Sequence, residues 1–404
     1  MDRRNFLTST AGALTLAASS CNGAGGKAKF TPESRPPAPG PATRVILTGV
    51  TPQAGEQSIK KAVRAAAEGA TDFSWLSRGD AVFIKPALNS GHPYPATTSP
   101  VALGVMVKLL EEKGAGRVIV GDMSGIEHVK LSPGGLSGST RQLMEAAGMA
   151  EAVRAAGAEM HFFEEAGWQA FYEDLPASGA HWKRGLMMPT ILQEVQHIVL
   201  MPRCSRHVLA GSTLGLKAAV GYWRTDTRLE YHRDAATFQE KTAEANTVGT
   251  LLQKQRLVLS AADKILTTFG PDKGLVFQPE NGLVIASDSV VAHDMVSLAW
   301  LLQNRNQMPS SEKEGLKDPY NYQLAVTIAN HWVVGKLGGW GPVFAAEKLT
   351  RNDIHTIWDD RVLNQAYRVF GGLPRVALET INELVPEDLV KELSGMVTPP
   401  SSRE

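Results

Sequence analysis

Apolar residues along this chain follow two rhythms that alternate. Short aliphatic and β-branched runs at 44–47, 81–84 and 117–120 read as strands, while residues 57–68 and 100–113 between them repeat apolar positions at helical spacing. Further strands are predicted at 160–163, 185–188, 197–201, 257–259 and 283–286. Residues 290–302 read as a buried helix with Val291, Met295, Leu298 and Leu302 on one side. Strands separated by helix-length segments build βαβ units, so the expected fold class is α/β, a mostly parallel β-sheet with flanking helices. Helix-end chemistry agrees: Ser99, Pro100 and Gly114 stand where an N-cap, a first helical residue and a C-terminal glycine belong. Ser139 with Gln142 opens another helix through Ala147 as a capping box. Residues 304–317 turn polar and charged, which marks a linker, and 324–334, 361–369 and 375–384 suggest a small helical C-terminal region.

The first residues break both rhythms. Arg3-Arg4-Asn5-Phe6-Leu7 precedes a mild apolar stretch without acidic residues, the layout of an export leader, and the paired arginines resemble the twin-arginine class. The implied partner is the twin-arginine translocase, and the implied location periplasmic or extracytoplasmic. Ala18-Ser19-Ser20-Cys21 resembles a lipoprotein cleavage box, although Leu is usual where Ala18 stands; a mature chain anchored through acylated Cys21 and an unanchored one both stay open. The apolar stretch is too short to be a stable membrane span. The predicted layout is therefore an export leader over 1–30, a Gly/Pro-rich tether over 31–42, the α/β domain over 43–303, a linker over 304–320 and the helical region over 321–404.

Composition removes several functions. Of 404 residues, 43% are hydrophobic and 20% charged, so the chain can bury a core. The 41 Lys and Arg balance the 41 Asp and Glu, leaving no global field to gather nucleic acid. Two cysteines, Cys21 and Cys204, are too few for a four-thiolate iron–sulfur cluster or an all-cysteine zinc site.

Candidate chemistry clusters just after predicted strands, where open α/β sheets place ligands. Lys85, followed by Asn89, can meet an anion or simply face solvent at a strand end. Asp122 can bind a metal or ribose, or cap a turn. The densest stretch runs from Met201 to Asp234. It contains Arg203, Arg206, His207, Thr213, Lys217 and His232, and Thr213 and Lys217 are expected on one helical face. A phosphate loop would need Ser or Thr after Lys217, where Ala218 stands. Near residue 290, Asp288 or Ser287 can cap the helix, and a buried Asp294 would need a lysine or backbone donors.

Six ordered blocks carry a resemblance: Phe83-Ile84-Lys85-Pro86 with Asn89, Arg117 to Asp122, Pro202 to His207, Thr213 to Lys217 with Gly221, Gly270-Pro271, and Ala286-Ser287-Asp288 with Ala292 and Asp294. Together they resemble the bacterial and archaeal domain of unknown function family 362, whose own activity is unsettled. Many relatives in that family carry a ferredoxin-like cysteine insert that this chain lacks, so no iron–sulfur cluster is implied. Relatives usually have Asn where Ala87 stands and often Lys where Ser205 stands, which weakens ligand contacts carried over to those positions. More distantly, His207, Lys217 and His232, spaced ten and fifteen residues apart, resemble the pattern of the nickel-pincer lactate racemase family. That resemblance implies Lys217 as a covalent cofactor tether, His232 as a metal ligand to nickel and His207 as a general base; His92 is a candidate for a second acid/base histidine.

Three functions of different kinds follow. One is an exported enzyme acting on a small anionic molecule, with His207, Lys217 and His232 catalytic and Lys85, Asn89, Asp122, Arg206, Thr213, Asp288 and Asp294 binding substrate. Another is a non-catalytic periplasmic binding or scaffold module, consistent with the lack of a complete triad or His-Glu-x-x-His motif. The third is an envelope-assembly partner, which would need an exposed apolar patch; Trp332 and Trp340 are instead expected in the core.

Overall fold

The computed structural model describes residues 38–51, 55–268, 270–313, 323–350 and 353–400. The expected leader over 1–30 with Cys21, most of the tether, and the later part of the polar stretch lie outside the described residues. Those that are described belong to one compact unit, Ser34–Glu404.

Eight strands form the main sheet: β1 (Thr43–Val50), β2 (Ala81–Pro86), β3 (Arg117–Asp122), β4 (Glu159–Phe162), β5 (His197–Met201), β8 (Gln255–Ala262), β11 (Gly282–Ser287) and β12 (Val376–Thr380). Their order is β12-β1-β11-β8-β5-β2-β3-β4. Every pairing is parallel except the two made by β11, so the predicted mostly parallel sheet is present. Four short strands, β6 (Ser205–His207), β7 (Gly211–Thr213), β9 (Ile265–Leu266) and β10 (Val276–Phe277), make a smaller sheet beside it. The 185–188 run forms a hairpin with Phe171–Asp174 outside the main sheet.

Side-chain alternation decides what each sheet face covers. Val82, Ile84, Val118, Val120 and Val199 pack under helices α1 (Gly55–Ala70), α2 (Pro100–Glu112) and α3 (Met149–Ala156). Phe83, Ile119, Ile198 and Leu200 face the opposite layer. That layer holds α4 (Gly215–Ala218), α5 (Thr225–Arg233), α6 (Phe238–Glu244), α7 (Val290–Asn306), α8 (Gln323–Gly338), α9 (Arg361–Val369) and α10 (Glu387–Val397). Ser99 caps α2 by accepting from Ala102 N at 3.3 Å, with Pro100 at the first turn. Ser139 likewise accepts from Gln142 N at 3.3 Å.

The C-terminal region is mostly helical, as expected, but one of its elements is a strand. Residues 376–380, predicted as helix, form β12, which pairs in parallel with β1 from Thr43↔Val376 to Leu47↔Thr380. Helices α9 and α10 then cover α7, and this is why α7 is buried on nearly every side rather than along one stripe. The expected linker from 304 is likewise helical to Asn306 and again at Ser310–Lys313. Trp332 and Trp340, expected in the core, are 43% and 78% exposed. No described helix is long and apolar enough to cross a membrane. Truncating the chain after Gly372 removes β12 and α10, opening the β1 edge and the α7 face. The expected result is loss of soluble protein or a melting temperature lower by more than about 10 °C in circular dichroism; an unchanged melt would show that the region is dispensable.

Candidate functional site

Strands β2, β3 and β5 end side by side, since Ile84 pairs with Val120 and Pro86 with Met201. At that edge the Lys85 ammonium meets Asp122 Oδ1 at 2.9 Å, both side chains almost wholly buried. Lys85 also donates to Pro86 O at 2.7 Å. Asp122 accepts from Leu88 N at 3.0 Å and Met123 N at 2.8 Å. Burial pushes the lysine down and the carboxyl up, and each charge draws the other back. Space for the pair depends on Gly221, where any methyl group would overlap both Asp122 Oδ1 and Lys85 Nζ. The Tyr222 ring centre lies 5.3 Å from the ammonium. Asp122 therefore orders the strand-end loops and neutralises Lys85; both lone-pair-bearing oxygens are already engaged.

Beyond β5 the chain enters the β6–β7 hairpin and then α4, which presents Lys217. Helix α4 is held by Asp294, whose two oxygens accept from Gly215 N and Leu216 N, each at 2.8 Å. Asp294 also bonds His293 Nδ1 at 2.9 Å, and His293 Nε2 bonds Ser260 Oγ at 2.7 Å. This Ser–His–Asp chain is sealed in the core, so it fixes α4 and offers no nucleophile. Asp294 finds the backbone donors its burial requires, and through them it positions α4 and Lys217.

The surroundings of Lys217 are cationic. Burial first, then the charges of Arg203, Arg228 and Lys85, pull its ammonium down to about 7. No salt bridge to Lys217 is present among the described residues; its Nζ lies 5.8 Å from the Tyr231 ring centre. Arg228 donates to the carbonyls of Met123 and Ser124, both at 2.6 Å, and of Gly221 at 3.2 Å. Arg203 donates to the carbonyls of Ala96 and Pro271, and to Thr213 Oγ1 at 3.5 Å. Thus two buried guanidiniums are held by neutral carbonyls, which orient but do not neutralise them.

The two histidines have opposite tautomers. His207 Nδ1 accepts from Leu209 N at 3.1 Å and Ala210 N at 3.2 Å within the hairpin loop, so its proton sits on Nε2. Burial, then Lys217, Arg203 and His232, lower it well below the usual imidazole range. His232 Nδ1 lies 3.1 Å from Asn330 Oδ1, while Asn330 Nδ2 donates to the His232 carbonyl at 2.9 Å. That second bond fixes the amide orientation, so Nδ1 must be the donor and the Nε2 lone pair is free. Burial and Lys217 hold His232 at about 3. One imidazole can donate from Nε2 and the other can accept there, both neutral at ordinary pH.

Of the other expected site residues, Asp288 lies elsewhere and the rest are held by partners of their own. Arg206 alternates with Ser205 and His207 along β6, which turns it to the other face, toward Asp360, the N-cap of α9; burial pushes that carboxyl up to about 7, and Arg206 draws it only partly back. Asp288 is exposed at the opposite sheet edge, because β11 runs antiparallel to its neighbours; the α7 cap is Ser289. Thr213 ends a strand rather than sharing a helical face with Lys217. Asn89 donates to Asp272. Arg203, Arg228 and Asn330 belong to the group although they were absent from the expected site set. The space bordered by Lys217, Asp294 and Asp360 measures about 10 Å³, room for one water.

Substituting Gly221→Ala places a methyl in the Lys85–Asp122 contact. Unfolding free energy from urea denaturation is expected to fall by about 2–4 kcal/mol, and a change below about 0.5 kcal/mol would show that the ion pair accommodates the methyl at no cost.

No curated protein matches this chain. Among solved structures, a protein from Thermotoga maritima is similar at 13% identity and a TM-score of 0.35, over 57% of this chain and 54% of that one. The chain thus spans about half the length of that relative. The lactate racemase apoprotein from Thermoanaerobacterium thermosaccharolyticum is similar at 12% identity and a TM-score of 0.38, over 86% of this chain and 85% of that one. Neither likeness is close enough to transfer a residue arrangement. The model of the family described as Domain of unknown function (DUF362) matches residues 82–299, more than half of the chain, and the protein belongs to that family.

Proposed function

We propose that this protein binds a small carboxylate or phosphate anion beside Lys217, Arg203 and Arg228, and that His207 and His232 move a proton to and from the bound molecule. The observation that carries this reading is the uncompensated charge: Lys217 has no ion-pair partner among the described residues and feels three neighbouring cations. An anion supplies the missing charge. The opposite tautomers then give one donor and one acceptor without any rearrangement of protons. The one-water space that Lys217 borders with Asp294 and Asp360 is lined by neither histidine, so an anion beside Lys217, Arg203 and Arg228 needs room that movement of the surrounding segments must provide.

Anion binding favours charged Lys217, whereas in the free protein that lysine loses its proton around pH 7. Affinity is therefore strongest below that pH and weakens above it, approaching about tenfold per pH unit while the bound lysine stays protonated. Calorimetry with oxalate and with inorganic phosphate at pH 6 and pH 9 reads this directly. Lys217→Met is expected to cost at least about tenfold at pH 6 and to flatten the pH dependence. Equal affinities for the variant and the wild type would refute the reading. Binding without solvent-deuterium exchange into a panel of 2-hydroxy carboxylates would leave the non-catalytic binding module as the function.

A second reading is favoured by the free Nε2 lone pair of His232. The lactate racemase resemblance implies a lysine-tethered nickel pincer, and the donor set fits: Lys217, pulled down to about 7, is partly a free amine at neutral pH, and His232 presents an unprotonated ring nitrogen fixed by Asn330. Lys217 would hold such a group covalently and His232 would bind its metal, which when bound supplies a hydride acceptor. Export through the leader over 1–30 is part of the same proposal. Intact-mass and metal analysis of the protein from its native envelope fraction reads leader removal, Cys21 acylation and any Lys217 adduct together. Stoichiometric nickel with an adduct on Lys217 supports the pincer reading, and an unmodified lysine overturns it.

A further inference from the structure

A second group of potential ligands stands apart from the two histidines just described. Glu127 and His128 lie on the loop after β3, and Asp272 lies between β9 and β10, 144 positions later in the chain. One ligand atom from each falls within 4.8 Å of the others. His128 Nε2 is 3.8 Å from Asp272 Oδ2, too far for a hydrogen bond. It is the spacing of two ligands that share an ion, since bonds of about 2.1 Å at tetrahedral or wider angles separate ligand atoms by roughly 3.4–4 Å. That ring nitrogen is also buried without a hydrogen-bond partner among the described residues. Buried polar atoms are rarely left so, and an ion would satisfy this one.

The surroundings suit a cation. Asn89 donates to Asp272 Oδ1, which orients the carboxylate while Oδ2 faces His128. Arg203 stands nearby, yet its Nη1 is committed to the carbonyls of Ala96 and Pro271. Glu127 is exposed, so an ion reaches the group from solvent and keeps positions open for water. We propose that Glu127, His128 and Asp272 bind one divalent transition-metal ion. One imidazole with two carboxylates suits zinc or manganese better than a soft, thiolate-seeking ion. This site does not depend on the anion-binding reading, and its ligands are not those of Lys217 and His232.

The test uses the full chain stripped with chelator and titrated with zinc chloride or manganese chloride alone, with stoichiometry from elemental analysis. The wild type is expected to take up one equivalent with micromolar affinity or better. Glu127→Gln, at an exposed position that leaves folding intact, should weaken uptake by about tenfold or more, and His128→Ala should abolish it with an unchanged circular dichroism spectrum. Lys217→Met and His232→Ala should bind as the wild type does. Absence of uptake by the wild type, wild-type affinity in both Glu127→Gln and His128→Ala, or loss of the equivalent in His232→Ala would each overturn the proposal.

Discussion

A lysine and an aspartate sealed at the ends of two adjacent parallel strands must stay together, because an unpartnered charge at that depth costs about 3–5 kcal/mol. Lys85 and Asp122 meet this constraint, and the surrounding chain is arranged around it. The aspartate ties the loop after β2 to the loop after β3 through Leu88 N and Met123 N. Ser124 Oγ then donates to Leu88 O at 2.6 Å, and Gly125 N to Asn89 O at 3.0 Å, closing the two loops on each other. Gly221 must approach without a side chain, and Arg228 joins its carbonyl to those of Met123 and Ser124. The segment carrying Lys217 on one side and His232 on the other is thereby fixed to the sheet edge.

Against that neutralised pair, the remaining cations stand out by how they are held. Carbonyl oxygens orient a guanidinium as firmly as a carboxylate does but leave its charge in place. Had Arg203 and Arg228 been paired with acids, Lys217 would be pulled down by its burial, with far less help from neighbouring charge. Instead it is pulled to about 7, the value at which one group can serve as cation, base or nucleophile with small changes in its surroundings. The carboxylate nearest in the chain of contacts, Asp294, is spent on the backbone of α4 and on His293. Its placement determines where Lys217 stands without cancelling what Lys217 carries.

The strand-and-helix rhythm was readable in local sequence wherever the partners of a segment were close by. Residues 197–201 and 361–369 form their predicted elements residue for residue. The failure at 375–384 is instructive. Ala377, Ile381 and Leu384 fit a helical repeat, and the free edge of β1, more than 320 positions earlier, turns the segment into a strand. The same distance effect governs the site. His207, Lys217 and His232 were legible because they sit within 26 residues, whereas Asn330 has no local mark and is identified only through its two bonds to His232. Choosing Arg206 over Arg203 followed from reading 203–207 as loop; once β6 is a strand, alternation separates Arg206 from His207. Asp288 fell at the wrong edge because strand direction was not legible for β11, the antiparallel member.

What makes the histidines informative is that the protein, not the solvent, chooses their tautomers. A backbone turn donating to His207 Nδ1 and an amide accepting from His232 Nδ1 leave complementary functions on the two Nε2 atoms. Both rings stay neutral, since burial disfavours the charged form and protonating either would add charge beside Lys217. A neutral donor and a neutral acceptor on either side of a molecule can pass a proton through it and reset by the reverse path, whereas two like tautomers would require an exchange with bulk water first. Asn330 is the element most exposed to change in this arrangement: it is supplied by α8, outside the sheet, and a rotation of its amide would transfer the lone pair of His232 from Nε2 to Nδ1 and turn the acceptor into a second donor.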